Sequence, residues 1–391
     1  KSKKPNKKSD HFVGDFYVLY NKEVKKNPKL EEELNEMLLK WESKDKATMD
    51  LWKKMNKWAL DGFKDTFKRF GTKIDKNYYE SKFYKKGKDI ISKGLEKGIF
   101  EKDELGNIII DLKKEKLDTK VVLRADGTSI YITQDIALAD LRYKDFKMDK
   151  MIYVVGNEQL YHFKVLFEIL KKLNYKFTNN LHHLAYGYIS LPEGKMKSRE
   201  GIVVDADNLA NDMKELAKKG ILERNKNISK KELEGLSEEI AIGALKFFML
   251  KYDPMKDFIY NSKESIKFEG ETGPYVQYSA VRINSILKKS KIKLEKINYS
   301  LLTNPSEEKI VTLLSNYPNI IKKSTSEYKS SILCKYLIDL SKEFNTFYHK
   351  CQVMDKNNIE LTKSRLVLIK GIYSVLEDGL NILGIKIPSK M

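Results

Sequence analysis

Between residues 121 and 190 the sequence alternates extended and helical segments with short turns between them, an order that few folds accept. VVLRADG and SIYITQD (121–135) read as strands, or as strand and turn. Residues 136–144 are helical in pattern, and Met151–Val155 is a compact apolar run suited to a buried parallel strand. Gln159–Leu173 carries apolar residues at helical spacing, and 183–190 is again extended. Strand, helix and strand joined by tight turns make the β-α-β pattern of a doubly wound α/β sheet, whose ligand crevice lies at the carboxyl ends of its strands.

The flanks read differently. Leu30–Phe70 is expected to form two amphipathic helices with a break near Asp45, followed by a helix over Asp89–Lys97 and a short strand over Asn107–Asp111. From about Ser237 strand-like runs vanish, and helical pattern is punctuated by turns at Tyr317-Pro318 and Asp355–Asn358. At 391 residues the chain exceeds one ordinary core. Three parts are expected: 1–100, helical with a flexible lysine-rich start; 101–236, α/β; and 237–391, an all-helical bundle.

No segment approaches the roughly 18 uninterrupted apolar residues of a membrane-spanning helix, so a soluble, cytoplasmic chain without a membrane partner is expected, and a monomer. Cys334 and Cys351 are too few for a disulfide framework or a cysteine zinc module. His182 and His183, adjacent in a strand, point to opposite faces and do not join His162 in a coordination set, so no metal, and in particular no zinc, is expected. The net charge of +19 draws polyanions, nucleic acid first among them, although lysine that merely solvates helix faces gives the same sum.

Three constellations carry chemistry. In GKMKSREG (194–201) two glycines flank a basic stretch, so the loop can fold over a polyphosphate with Lys195, Lys197 and Arg199 supplying charge; an exposed basic hairpin has the same composition. GTSIYITQD (127–135) and VVGNEQLYHF (154–163) place Tyr131, Asp135, Gly156, Glu158, Gln159 and His162 at carboxyl ends of strands in one sheet, the rim of a nucleotide crevice, where Asp135 can hold a cationic group or simply cap a helix. In KFEGETGPYVQYSAVRI (267–283), Tyr275, Tyr278 and Arg282 share one helical face. Rings beside a cation stack unpaired bases, and equally they pack half-buried against a neighbouring helix.

In this order, and followed by FNTFYHKCQV, KSRLVLI and LNILGIKIPSKM, these segments resemble the arginyl-tRNA synthetases of class I from about His11 to Met391. The resemblance implies a partial Rossmann-type (HUP-like) nucleotide-binding domain with a helical insertion, then an all-α DALR-type anticodon-binding domain named for the run that here is KSRL (363–366). It implies ATP-dependent activation of L-arginine, assisted by Mg²⁺, and transfer to tRNA(Arg). By the same resemblance Lys195, Met196, Lys197, Ser198 and Arg199 form the KMSKS-like catalytic loop, with Ser198 where the family's second lysine stands. Tyr131, Asp135 and Gln159 hold arginine, and Gly156, Glu158, His162, Tyr186 and Gly187 lie around ATP. Tyr275, Tyr278, Arg282, Tyr348 and Met391 lie near the anticodon loop. The family's HIGH-type signature is not in the sequence, which leaves a non-catalytic tRNA-binding fragment or paralogue as the alternative.

Overall fold

The structure is a computed structural model that describes residues 4–190 and 205–391. The loop 195–199 lies outside the described residues.

Four helices come first: α1 (Ser9–Glu23), α2 (Lys29–Glu42), α3 (Lys46–Phe70) and α4 (Glu80–Glu96). The expected break at Asp45 is there for a local reason. Its carboxylate caps α3, accepting from the Thr48 N–H at 2.9 Å, and so satisfies a donor the first helical turn leaves open.

Strands β1 (Glu101–Lys102), β2 (Ile108–Ile110) and β3 (Lys120–Leu123) form an antiparallel sheet in that order. Helix α5 (Tyr131–Phe146) follows, then β4 (Met151–Gly156), α6 (Leu160–Lys172) and β5 (Leu181–Tyr186). β4 and β5 pair in parallel from Met151 opposite Leu181 to Gly156 opposite Tyr186, with α6 as the crossover.

Two expectations change here. Residues 131–135 are helical, not extended: the Thr133 hydroxyl, fully buried, accepts the Ile130 N–H at 3.1 Å and starts α5. And β3 does not share a sheet with β4, because a short connection places it antiparallel against β2. β4 is covered on one face alone: Met151 and Tyr153 are buried, while Ile152 and Val154 are exposed.

The remaining elements are β6 (Ile189–Ser190), α7 (Ala206–Arg224), α8 (Lys230–Leu250), β7 (Phe258–Ile259), α9 (Ser262–Ser265), α10 (Gly273–Lys289), α11 (Pro305–Glu327), α12 (Ser330–Lys350) and α13 (Ile359–Ile382). A short strand at Phe258–Ile259 thus persists beyond residue 237. Tyr317-Pro318, expected as a turn, sits inside α11. An interior proline costs a helix about 3 kcal/mol. Two contacts oppose that cost: the Tyr317 hydroxyl donates to Asp378 at 2.5 Å, and its ring stacks on Tyr336 at 5.6 Å.

The chain divides into two compact units. An α/β unit comprises Ile74–Tyr188 and Pro254–Phe258; a helical unit comprises Lys1–Lys73, Ile189–Asp253 and Ile259–Met391. Residue 236 falls within α8, and residues 1–73 belong to the helical unit. The α/β core is built from Ile91, Ile110, Val122, Ile136, Phe163 and Leu166. The helical core gathers Phe247, Val276, Leu337, Phe344, Leu366 and Leu376. α10 approaches α8 so closely that a Cβ on Gly273 would lie 2.8 Å from the Gly243 carbonyl oxygen, so only glycine starts this helix without a shift. Among the described residues no helix is long and apolar enough to cross a membrane.

Candidate functional site

In the α/β unit the crevice residues come from α5, the end of β4 and the start of α6. Tyr131 and Asp135 stand one turn apart on the first two turns of α5, hence on one face. His162 donates from Nε2 to Asp135 Oδ2 at 2.7 Å. This bond joins two residues that the resemblance had given to different ligands. Both side chains are about 30% exposed or less, and no described residue donates to Asp135 Oδ1. The carboxylate therefore keeps one oxygen for a further donor. The Tyr131 ring is 84% exposed and can close over whatever Asp135 holds.

Behind these residues the crevice is packed with aromatic rings, and the Arg142 guanidinium lies 5.4 Å from the centre of the Tyr153 ring. His162 meets Phe163 edge-on at 5.5 Å. His183 lies 4.4 Å from the Phe163 ring and its Nε2 contacts the Val155 carbonyl at 3.0 Å. A carbonyl only accepts, so that nitrogen carries the proton and fixes the tautomer. Burial pushes the Tyr153 hydroxyl up to about 12, so it stays protonated beneath the crevice.

At the end of β5, Gly187 accepts a backbone that no side chain would. A Cβ there would stand 2.6 Å from Asp257 Oδ1 and 2.7 Å from the Lys256 carbonyl carbon. Asp257 also takes the Tyr188 N–H at 2.6 Å, which fixes the chain beside the half-exposed Tyr186. Gly156 ends β4, and Glu158 and Gln159 follow directly in the turn into α6.

A second site lies in the helical unit. Thr272 caps α10, accepting the Tyr275 N–H at 3.2 Å, and Tyr275 and Tyr278 follow on one face, both half-buried. They line a cleft of about 480 Å³ with Arg224, Phe268, Glu269, Asn345, His349 and Met391. Tyr275 reaches α12 through its hydroxyl, which accepts from Asn345 Nδ2 at 2.9 Å, and both rings line the cleft. Beside it, the Arg282 guanidinium lies 3.8 Å from the centre of the Tyr348 ring, and the Arg224 guanidinium lies 4.2 Å from Phe268. Met391 packs with Phe268 against the cluster of Ile221, Leu236 and Ile240.

Arg224, Phe268, Asn345 and His349 escaped the sequence reading. A signal existed for two of them: Asn345 and His349 are four apart in FNTFYHK, on the α12 face that also carries Tyr348 nearby.

Arg365, inside the KSRL run, has a structural partner. Its Nε donates to Glu307 Oε1 at 2.7 Å, the Glu307 side chain being fully buried and itself completing the cap of α11. A further cluster in the helical unit brings His11, Asp205 and Asp207 together within 4.8 Å, a set the sequence reading did not foresee. Lys8 at 2.8 Å and Arg69 at 3.3 Å already answer the Asp207 charge, so this is an ion-pair network that ties α1 and α3 to α7. Burial opposes ionisation of Asp207, but the hydrogen bonds from Lys8, Thr66 and Arg69 outweigh it and hold the carboxyl below its usual range.

Residues 3–262 match the family described as tRNA synthetases class I (R), catalytic domain, and residues 276–391 match the DALR anticodon binding domain. The chain is 48% identical over 386 residues to an arginine–tRNA ligase of Treponema denticola, covering 96% of this chain and 65% of that one. It is 42% identical over 408 residues to an arginine–tRNA ligase of Parabacteroides distasonis, covering 98% and 68%. The chain thus spans about two thirds of the length of these curated relatives. Among solved structures, an arginyl-tRNA synthetase from Plasmodium falciparum is similar in fold, with a TM-score of 0.80 at 24% identity, covering 93% of this chain and 62% of that one. One from Thermus thermophilus has a TM-score of 0.78 at 22% identity, covering 90% and 68%.

Proposed function

Because this chain belongs to the arginyl-tRNA synthetases of class I, with a catalytic domain and a DALR anticodon-binding domain, we propose that it serves the ATP-dependent joining of L-arginine to tRNA(Arg) as a monomeric cytoplasmic enzyme. The observation that carries the reading is Asp135, which holds one carboxylate oxygen free of any described donor on a crevice rim beside an exposed tyrosine.

The chemistry has two steps. A carboxylate oxygen of arginine attacks the α-phosphorus of ATP, forming arginyl-adenylate as the bond to the β-phosphate breaks and pyrophosphate leaves. A hydroxyl of the terminal tRNA ribose then attacks the arginyl carbonyl and AMP leaves. Neither step needs a protein nucleophile; positioning and charge stabilisation carry the rate. Asp135 answers the guanidinium with Oδ1, Tyr131 covers it, and Gln159 takes the amino group. Gly156, Glu158, His162, Tyr186 and Gly187 surround the ribose and adenine. Lys195, Lys197 and Arg199 neutralise the departing pyrophosphate, and Met196 and Ser198 belong to the same catalytic segment. Lys195, Lys197 and Arg199 would share the triphosphate charge with Mg²⁺, which would supply further charge stabilisation when bound with ATP, and no zinc is proposed. Tyr275, Tyr278, Arg282, Tyr348 and Met391 receive the anticodon loop.

The test is arginine-dependent ATP–pyrophosphate exchange by the gene-encoded enzyme. Lys195→Ala lowers the rate about 100-fold or more, the usual size of a lost transition-state charge contact. Unchanged exchange would remove the loop from the mechanism.

A further inference from the structure

The cleft on the helical unit contains one amide whose orientation is fixed by the chain itself. Asn345 Nδ2 donates to the Ser341 carbonyl at 3.0 Å and to Tyr275 Oη at 2.9 Å, with Ser279 Oγ at 3.3 Å. The Ser341 carbonyl can only accept, so the atom facing it is the NH₂ group and the amide cannot be turned round. With the NH₂ group engaged, the polar atom left for the cleft that Asn345 lines is the carbonyl Oδ1, which no described residue donates to.

We propose that Asn345 is a specificity-determining residue, presenting Oδ1 as a fixed acceptor to the exocyclic amine of an unpaired base seated against Tyr275 and Tyr278. The inference rests on reading this cleft as an RNA surface. A fixed acceptor welcomes the N4 amine of cytosine or the N6 amine of adenine and opposes the O4 carbonyl that uracil presents in the same place. The two tyrosines supply stacking, which every base accepts, and so they cannot choose among bases. Arg224 and His349, on the same cleft, suit the backbone phosphate on either side. Glu269 is a second acceptor on the rim but is exposed, with no comparable anchoring.

The experiment measures binding of an RNA stem-loop carrying the anticodon loop of an arginine tRNA to the intact chain, with each loop position in turn cytosine, adenine or uracil. At one position uracil binds about 3- to 10-fold more weakly than the amine-bearing base, the worth of one hydrogen bond, and the better of cytosine and adenine identifies the base. Asn345→Leu abolishes that preference, whereas Asn345→Asp, whose second oxygen can accept from the Tyr275 hydroxyl in place of the lost amide donor, retains it. Equal loss of preference in both variants would mean a structural role for the amide and would overturn the proposal; if the leucine variant does not fold, the aspartate variant decides alone. A wild-type chain that binds the stem-loops equally at every position overturns this inference but not the RNA reading; one that binds none overturns both.

Discussion

In the helical cleft Asn345 commits its amide protons to Tyr275, Ser279 and Ser341, and Arg282 already rests on Tyr348. In the α/β crevice Tyr131 stands 84% exposed and, among the described residues, Asp135 is held by His162. One site has its central amide fixed by its own chain before any ligand arrives; the other leaves its carboxylate with a partner that a guanidinium can join or displace. The contrast suits the two ligands proposed for these sites. A base is read by shape and by one directional acceptor, so rigidity serves it. A small cation is held by charge, and a histidine is a weaker claimant on that charge than a permanently protonated guanidinium.

This contrast can be broken at several points. The largest effect is expected in the frame of the helical unit that carries the cleft: Arg365→Ala strands the buried Glu307 carboxylate and should destabilise the chain by about 3–5 kcal/mol in urea unfolding. A loss under about 1 kcal/mol would show that the unit does not depend on that pair. Next is Asp135→Asn, which should weaken arginine in the exchange reaction by about 2–3 kcal/mol, the worth of a hydrogen bond to a charged group, while tRNA binding stays put; parallel losses in both would erase the distinction between the sites. Tyr278→Ala should do the reverse, costing about 1–3 kcal/mol in tRNA binding with arginine activation unmoved.

The smallest effect concerns pH. Asp207 and Glu238 are held below the usual carboxylate range: burial works against them, but hydrogen bonds from Lys8, Thr66, Arg69 and Lys214 prevail. A depressed folded pKa means that the stability is present above the unfolded value and is lost as pH falls through the folded one. The melting temperature should therefore hold near neutrality and decline once pH drops below about 4, and Arg69→Met should flatten that decline. An equally steep acid limb in the variant would place the acid sensitivity elsewhere.

The sequence made local periodicity legible and hid whatever depends on distant partners. The break at Asp45 and the strand at Met151 were readable because a cap and an apolar run are local signals. Ile130, Tyr131, Ile132 and Thr133 misled, being β-branched or aromatic and so strand-like by propensity, while the buried Thr133 hydroxyl and the packing of Ile132 and Ile136 draw them into α5. Pro318 misled in the same way, because its helix is held by Tyr317 through Asp378 and Tyr336, both remote in sequence. In the sites, Tyr275 and Tyr278 announced themselves by spacing. Arg224 and Asn345 did not, since each joins the cleft from another helix. The Asp135–His162 bond spans 27 positions and was equally invisible to periodicity.

The central claim is that this family member's crevice is built for arginine, and the most direct measurement is the amino-acid dependence of ATP–pyrophosphate exchange by the gene-encoded enzyme. The account predicts exchange with arginine and none above background with leucine or cysteine. Exchange that is indifferent to arginine, or that another amino acid supports equally well, would contradict it.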